Sequence, residues 1–235
     1  SFYHPTKVLN GGYADYFSLI PFLTGKDLLR GAIIGVSGGA VGRTIFAAKP
    51  PSMKIAIDGI EIDPEVVESA KKYFALGKQP TNIHIADGRM FLTDSKALYD
   101  FILIDAFQEQ LYIPFYLLTV EFFNIANEHL ADNGVFALNF ISSSRETALY
   151  ESTVKTLQEV FPHIYSFRVP DSSNFLFIGS KKEINFESLE IPEFLKSTQT
   201  EFSQGLKREI EIKRTVPIFR DDRSAVELMT EKSIF

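Results

Sequence analysis

The segment Gly35-Val36-Ser37-Gly38-Gly39 follows an apolar run, and Ile60-Glu61-Ile62-Asp63-Pro64 answers it further along the chain. Residue types at this spacing outline a nucleoside site. A strand that ends in glycines lets the backbone come close to a ligand with no side chain in the way. An acid roughly 20 to 25 positions later, at the end of the next strand, accepts hydrogen bonds from both ribose hydroxyls. Gly35, Ser37, Gly38 and Gly39 are the candidate turn residues and Glu61 the candidate ribose acid. The order strand, glycine turn, helix, strand, acid carries the reading, since glycines alone also make an ordinary tight turn.

Further acids recur at strand ends. Asp105 directly follows Phe101-Ile102-Leu103-Ile104, so its carboxylate loses hydration and needs a partner or a task. Asp87-Gly88 closes the preceding apolar run; Asp87 reads either as a helix cap or as a contact to an adenine amino group. Asp63, with Pro64 after it, reads first as a cap. The dinucleotide fingerprint G-x-G-x-x-G is imperfect, because Ser37 holds the second glycine position and Gly42 falls at a different offset. Several carboxylates around one crevice repel phosphates and favour a cationic sulfonium. The expected co-substrate is therefore S-adenosylmethionine or its decarboxylated form, with no metal.

The elements that must hold these residues alternate regularly. Residues 32–36, 54–61, 82–86, 101–105 and 135–141 read as strands, apolar on both faces as in a covered parallel sheet. A helix capped by Asp63 carries Val66, Ala70 and Tyr73 as one stripe. Further helices are expected through Phe91, over 119–130 with Gly134 beyond the closing loop, and over 147–161, ended by Pro162. Residues 163–169 and 174–180, separated by Pro170-Asp171-Ser172-Ser173, read as an antiparallel hairpin. The fold class is α/β: a doubly wound, mostly parallel Rossmann-like sheet of about seven strands with a C-terminal antiparallel hairpin. We expect residues 1–30 to pack a segment and helix on the core, 31–182 to form the nucleoside-binding domain, and 183–235 to add helices and a tail. Tyr13, Tyr16, Phe17 and Ile20 at helical spacing read as core packing.

Composition limits the alternatives. The 235 residues, 45% hydrophobic, suffice for one full core. A formal net charge of -6 offers no basic stripe for nucleic acid. No apolar run approaches a membrane span, and the N-terminus lacks a signal pattern, so a cytoplasmic protein is expected. The absence of cysteine removes disulfides and thiolate ligands, and His4, His84, His129 and His163 show no metal spacing. The chain opens at Ser1 rather than methionine, which suggests processing or trimming ahead of it.

Several of these segments are jointly familiar. Ile60-Glu61-Ile62-Asp63-Pro64-Glu65-Val66-Val67, Ala70-Lys71-Lys72-Tyr73-Phe74, Asp87-Gly88-Arg89 with Phe91-Leu92, and Tyr99-Asp100-Phe101-Ile102-Leu103-Ile104-Asp105-Ala106-Phe107 resemble the polyamine aminopropyltransferases, the spermidine synthases. So does Leu118-Thr119-Val120-Glu121-Phe122-Phe123. The opening Gly11-Gly12-Tyr13-Ala14-Asp15-Tyr16-Phe17 and the run from Asp221 to Glu227 look more like the bacterial spermidine-synthase-like branch. The resemblance implies a class I methyltransferase-like fold and aminopropyl transfer to a small amine. It assigns Glu61 to the ribose, Ile62 to packing on adenine, Asp87 and Gly88 to the base, and Asp105 to acid-base catalysis.

Departures concentrate in the amine half. Gly38 stands where the family's turn carries an aspartate, and Gln108 where the catalytic loop supplies a second one. The family's Tyr-His-Glu segment and N-terminal β-hairpin domain have no clear counterpart, although Tyr13, Asp15 and Tyr16 lie nearby in sequence. Tyr13 and Gln108 are the expected amine contacts, with Glu109, Asp221 or Asp222 as substitutes for the lost carboxylate. Methyl transfer from intact S-adenosylmethionine and nucleoside binding without catalysis stay open beside aminopropyl transfer. A homodimer is compatible with each.

Overall fold

A computed structural model describes residues 4, 7–107, 113–187, 189–208, 210–223, 225–226 and 229–230. β1 (Leu28–Ile34) pairs in parallel with β2 (Lys54–Glu61) on one side and β4 (Tyr99–Ile104) on the other, and β3 (Thr81–Ile85) and β5 (Leu130–Ile141) extend the parallel sheet from β2 and β4. β6 (His163–Arg168) and β7 (Asn174–Ser180) make the expected hairpin, and the two-residue β8 (Leu206–Lys207) lies at the edge. The sheet order is β3-β2-β1-β4-β5-β7-β6-β8, eight strands rather than about seven. β7 runs antiparallel to both β5 and β6.

Alternation along each strand splits the core into two layers. Phe101 and Leu103 of β4 face one cluster, while Ile102 and Ile104 face the other. The first layer is closed by α1 (Tyr13–Phe17), α2 (Ile20–Leu23), α3 (Ala40–Ala48), α4 (Pro64–Tyr73) and α8 (Lys196–Gly205). The second is closed by α5 (Gly88–Asp94), α6 (Val120–Glu128) and α7 (Ala148–Gln158). Tyr16, Phe17 and Ile20 are buried in the first layer.

Local chemistry sets the helix starts. Asp63 accepts from the amides of Glu65 and Val66, with Pro64 in the first turn. Thr119 and Thr147 cap α6 and α7 in the same way. The buried side of α4 is Val67 and Ala70; Tyr73, expected in that stripe, is exposed and lies 4.9 Å under the Lys72 ammonium. Gly134 does not follow a helix at a distance but lies inside β5, where Leu130 pairs with Tyr99 across a register shift.

The chain runs outward through β1, β2 and β3, then crosses back to place β4 on the other side of β1. That reversal opens a crevice at the carboxyl ends of β1 and β4.

Candidate functional site

At the reversal the backbone is tightly closed. Gly35 has φ +86°, and a Cβ there would lie 2.5 Å from the Asp105 carbonyl oxygen and 2.7 Å from Ala106. Only glycine fits, and what approaches it is the end of β4 itself. The amides of Gly35 and Val36 donate to the Ile60 carbonyl, and the Asp105 amide to the Ile34 carbonyl, binding three strand ends together. Ser37 follows with φ +47°, and Gly39 is the N-cap of α3. The Gly38 carbonyl accepts from Arg43 at 3.3 Å.

Glu61 gathers this turn. Its Oε2 accepts from the Ser37 amide at 2.9 Å, while Oε1 accepts from the amides of Ile62 and Asp63 at 3.1 and 3.3 Å. Oε2 keeps a lone pair for a further donor. Beside it a cavity of about 340 Å³ is lined by Ser37, Gly38, Asp63, Val66, Ser69 and Phe74, among others. Ile62 is 60% exposed, an apolar side chain standing at the mouth of the crevice.

One strand further out, Asp87 is the helix cap that the sequence offered as one of its two readings. Its Oδ1 caps α5 through the Met90 amide at 2.9 Å, and its Oδ2 accepts from the Tyr116 hydroxyl at 3.0 Å. Burial first, then the Asp87 carboxylate, push the Tyr116 phenol up to about 12. Gly88 is required by packing, since a Cβ there would come within 2.3 Å of Ile34.

Asp105 lies across the crevice, at the end of β4. Tyr13 of α1 donates to its Oδ2 at 2.9 Å and Asn139 of β5 donates to its Oδ1 at 2.8 Å. Burial pushes the Asp105 carboxyl up to about 7, against the pull of both donors. Burial and the neighbouring carboxylate raise the Tyr13 phenol well above its ordinary value, so it stays a donor. A carboxylate poised near neutrality is matched to taking a proton from an amine.

The structure thus brings Tyr13 to Asp105, Glu61 to the glycine turn and Asp87-Gly88 to the next strand end. Gln108 and Glu109 lie outside the described residues. Asp221 is spoken for: its carboxylate pairs with Arg89 at 2.5 and 2.8 Å and accepts from Thr119 at 2.8 Å. Asp15 is likewise engaged, accepting from the amides of Asn10 and Gly11. Sequence reasoning missed Asn139, Asn174 and Tyr116. Asn139 left one signal, an amide between Leu138 and Phe140 in an apolar run. A larger cavity of about 1240 Å³ opens at the opposite end of the sheet, near Lys26, Met53 and Phe194, and gathers none of these residues.

Residues 13–188 match the family profile described as the spermine/spermidine synthase domain. The chain belongs to the spermine/spermidine synthase family. This family member is 36% identical over 147 residues to the polyamine aminopropyltransferase of Vibrio vulnificus, a match covering 60% of this chain. The match takes in 46% of the relative, so the chain spans about half the length of that curated protein. Among solved structures, a probable spermidine synthase from Corynebacterium glutamicum superposes with a TM-score of 0.69 at 20% identity, covering 91% of this chain and 81% of that one. Human methyltransferase-like protein 13, solved in complex with SAH, superposes with a TM-score of 0.62 at 22% identity, covering 92% and 96%. At these identities the two superpositions establish the shared α/β fold of this synthase-family chain.

Proposed function

We propose that this chain carries the nucleoside and transfer site of an aminopropyltransferase using decarboxylated S-adenosylmethionine and a small amine. The observation that carries the reading is Asp105, buried at the strand reversal, pushed up to about 7 and met by Tyr13. In the proposed reaction the amine nitrogen attacks the aminopropyl carbon bound to sulfur, a new C–N bond forms, and the C–S bond breaks. The electron pair goes to sulfur, which becomes a neutral thioether, and the amine proton goes to the Asp105 carboxylate. Glu61 would accept from the ribose hydroxyls, Ile62 pack on the base, and Asp87 with Gly88 read its edge. Gly35, Ser37, Gly38 and Gly39 would shape the turn around the ligand. Tyr13 would orient Asp105 and the amine, and Gln108 is proposed as an amine contact.

Methyl transfer is the second reading, and Gly38 favours it. With no carboxylate at that position, nothing there repels the carboxylate of intact S-adenosylmethionine. Calorimetric titration with each nucleoside, with and without putrescine, separates the two. We expect preference for the decarboxylated form, strengthened by the diamine, and at least a tenfold loss in Glu61→Ala. Preference for the intact form would move the assignment to methyl transfer, and binding without turnover would leave a nucleoside-binding protein.

A further inference from the structure

Behind Asp105 runs a chain of amides that the proposed chemistry does not itself require. Asn139 Nδ2 donates to Asp105 Oδ1 at 2.8 Å. Asn139 Oδ1 in turn accepts from Asn174 Nδ2 at 2.8 Å, and Asn174 Oδ1 accepts from the Ser172 hydroxyl at 2.6 Å. The Ser172 Oγ also accepts from the Asn174 amide at 3.1 Å, which fixes the turn of the β6–β7 hairpin. Asn139 is 1% exposed and sits in the middle of the sheet.

The orientation of every group in this chain follows from the charge at its end. An ionised carboxylate only accepts, so the atom of Asn139 facing it must be the donor Nδ2. The carbonyl of Asn139 must then face Asn174, which must offer its own Nδ2. The carbonyl of Asn174 is left to the Ser172 hydroxyl. All donors point the same way, toward Asp105, and aligned hydrogen bonds of this kind polarise one another. Turning Asn139 over, so as to present a carbonyl to a protonated Asp105, would set its NH2 against the NH2 of Asn174. Both amides would have to turn together.

We propose that Asn139 and Asn174 are positioning residues that favour the ionised form of Asp105 against its burial, with the β6–β7 turn as the anchor of the relay. Among the described residues, the titratable group facing Asp105 is Tyr13 of α1; β5 and β7 present neutral amides, and β1 presents the Gly35 backbone. The relay is thus the route by which residues remote from α1 tune the carboxylate.

The inference rests on Asp105 as the proton acceptor, and its test reads that carboxyl directly. In full-length protein labelled with 13C at aspartate carboxyls, the Asp105 resonance, assigned by its loss in Asp105→Asn, is titrated in wild type, Asn139→Ala, Asn174→Ala and Ser172→Ala. The midpoint is expected to rise by roughly half to one pH unit in Asn139→Ala and Asn174→Ala, and by less in Ser172→Ala, because donors to the charged form are lost in that order. Asn139 is the buried member, so Asn174→Ala and Ser172→Ala carry the test if Asn139→Ala does not fold. An unchanged midpoint in folded Asn174→Ala would overturn the proposal. Turnover is measured alongside: an acid limb of kcat/KM that moves with the resonance supports a positioning role, and a limb that stays put while the resonance moves overturns it. Wild-type protein with no transfer activity would remove the aminopropyltransferase reading, while the titration still decides the relay.

Discussion

Asp105 is a carboxylate on which burial and hydrogen bonding pull in opposite directions. Burial alone favours the protonated form, while Tyr13 and Asn139 each donate to the ionised one. The balance, about 7, sets a sign for catalysis. A base must be ionised to take a proton, so turnover should rise as pH climbs through 7. Tyr13→Phe removes one donor from the ionised form, so the acid limb of kcat/KM should move upward by roughly one pH unit, a tenfold loss at pH 6. The two rates should converge above pH 9 if Tyr13 acts only through Asp105. A loss independent of pH would instead give Tyr13 a direct contact with substrate. The same raised value has a stability sign, because the folded chain holds this proton more tightly than the unfolded one. That contribution is fully present below about pH 4 and is lost as pH rises through 7. At this scale the acids were legible in the sequence because a carboxylate ending an apolar run is conspicuous. Their partners were not, since Asn139 meets Asn174 only through the β5–β7 register.

Between elements, the least expected feature is a polar seam across the sheet. Asp58 in β2 is 6% exposed and accepts from Arg30 of β1 at 2.8 Å, from Asn82 of β3 at 3.2 Å and from Tyr99 of β4 at 3.2 Å. His84 of β3 lies 3.0 Å away. Burial on its own would raise this carboxyl, yet the hydrogen bonds from His84, Arg30 and Asn82 hold it below its ordinary value. Asp58→Ala should leave Arg30, His84 and Tyr99 without their common acceptor and lower stability by about 2 kcal/mol at pH 7. Urea denaturation checks this, and the gap should close as pH falls through the folded carboxyl's value, where wild type loses the same contribution. The seam also explains what the sequence hid. Leu28 is 75% exposed and Arg30 is polar, so hydrophobicity alone started the first strand at Ala32 rather than Leu28. Leu130 read as the end of a helix and residues 131–133 as a loop because Asp132 and Asn133 are polar, although pairing with β4 begins at Leu130. The cap at Asp63 was legible because it acts on amides two or three residues away, whereas Thr119 and Thr147, read as first helical residues, are caps themselves.

Across the whole molecule, residues 216–221 return to the Asp87 side of the crevice. Lys155 of α7 donates to the Val216 carbonyl, and the Val120 amide donates to that of Phe219, whose ring is fully buried. Two residues later Asp221 grips Arg89, the neighbour of Gly88. Arg89 also donates to the Tyr116 carbonyl at 3.2 Å, and the Tyr116 hydroxyl reaches Asp87. The tail is thereby coupled to the residue proposed to read the base, over a sequence separation that no local pattern could reveal. Arg89 holds the Asp221 carboxyl below its ordinary value, so the clasp persists into mild acid. Asp221→Ala should cost little global stability, about 1 kcal/mol or less, because the pair is partly exposed. Its effect should appear locally, as faster amide exchange over α5 and residues 115–117 and a several-fold loss in nucleoside affinity. Had the tail acid served the amine instead, the same variant would weaken putrescine binding and leave nucleoside affinity and α5 exchange untouched. Exchange and calorimetry on one protein therefore decide whether the chain's end supports the base or the acceptor.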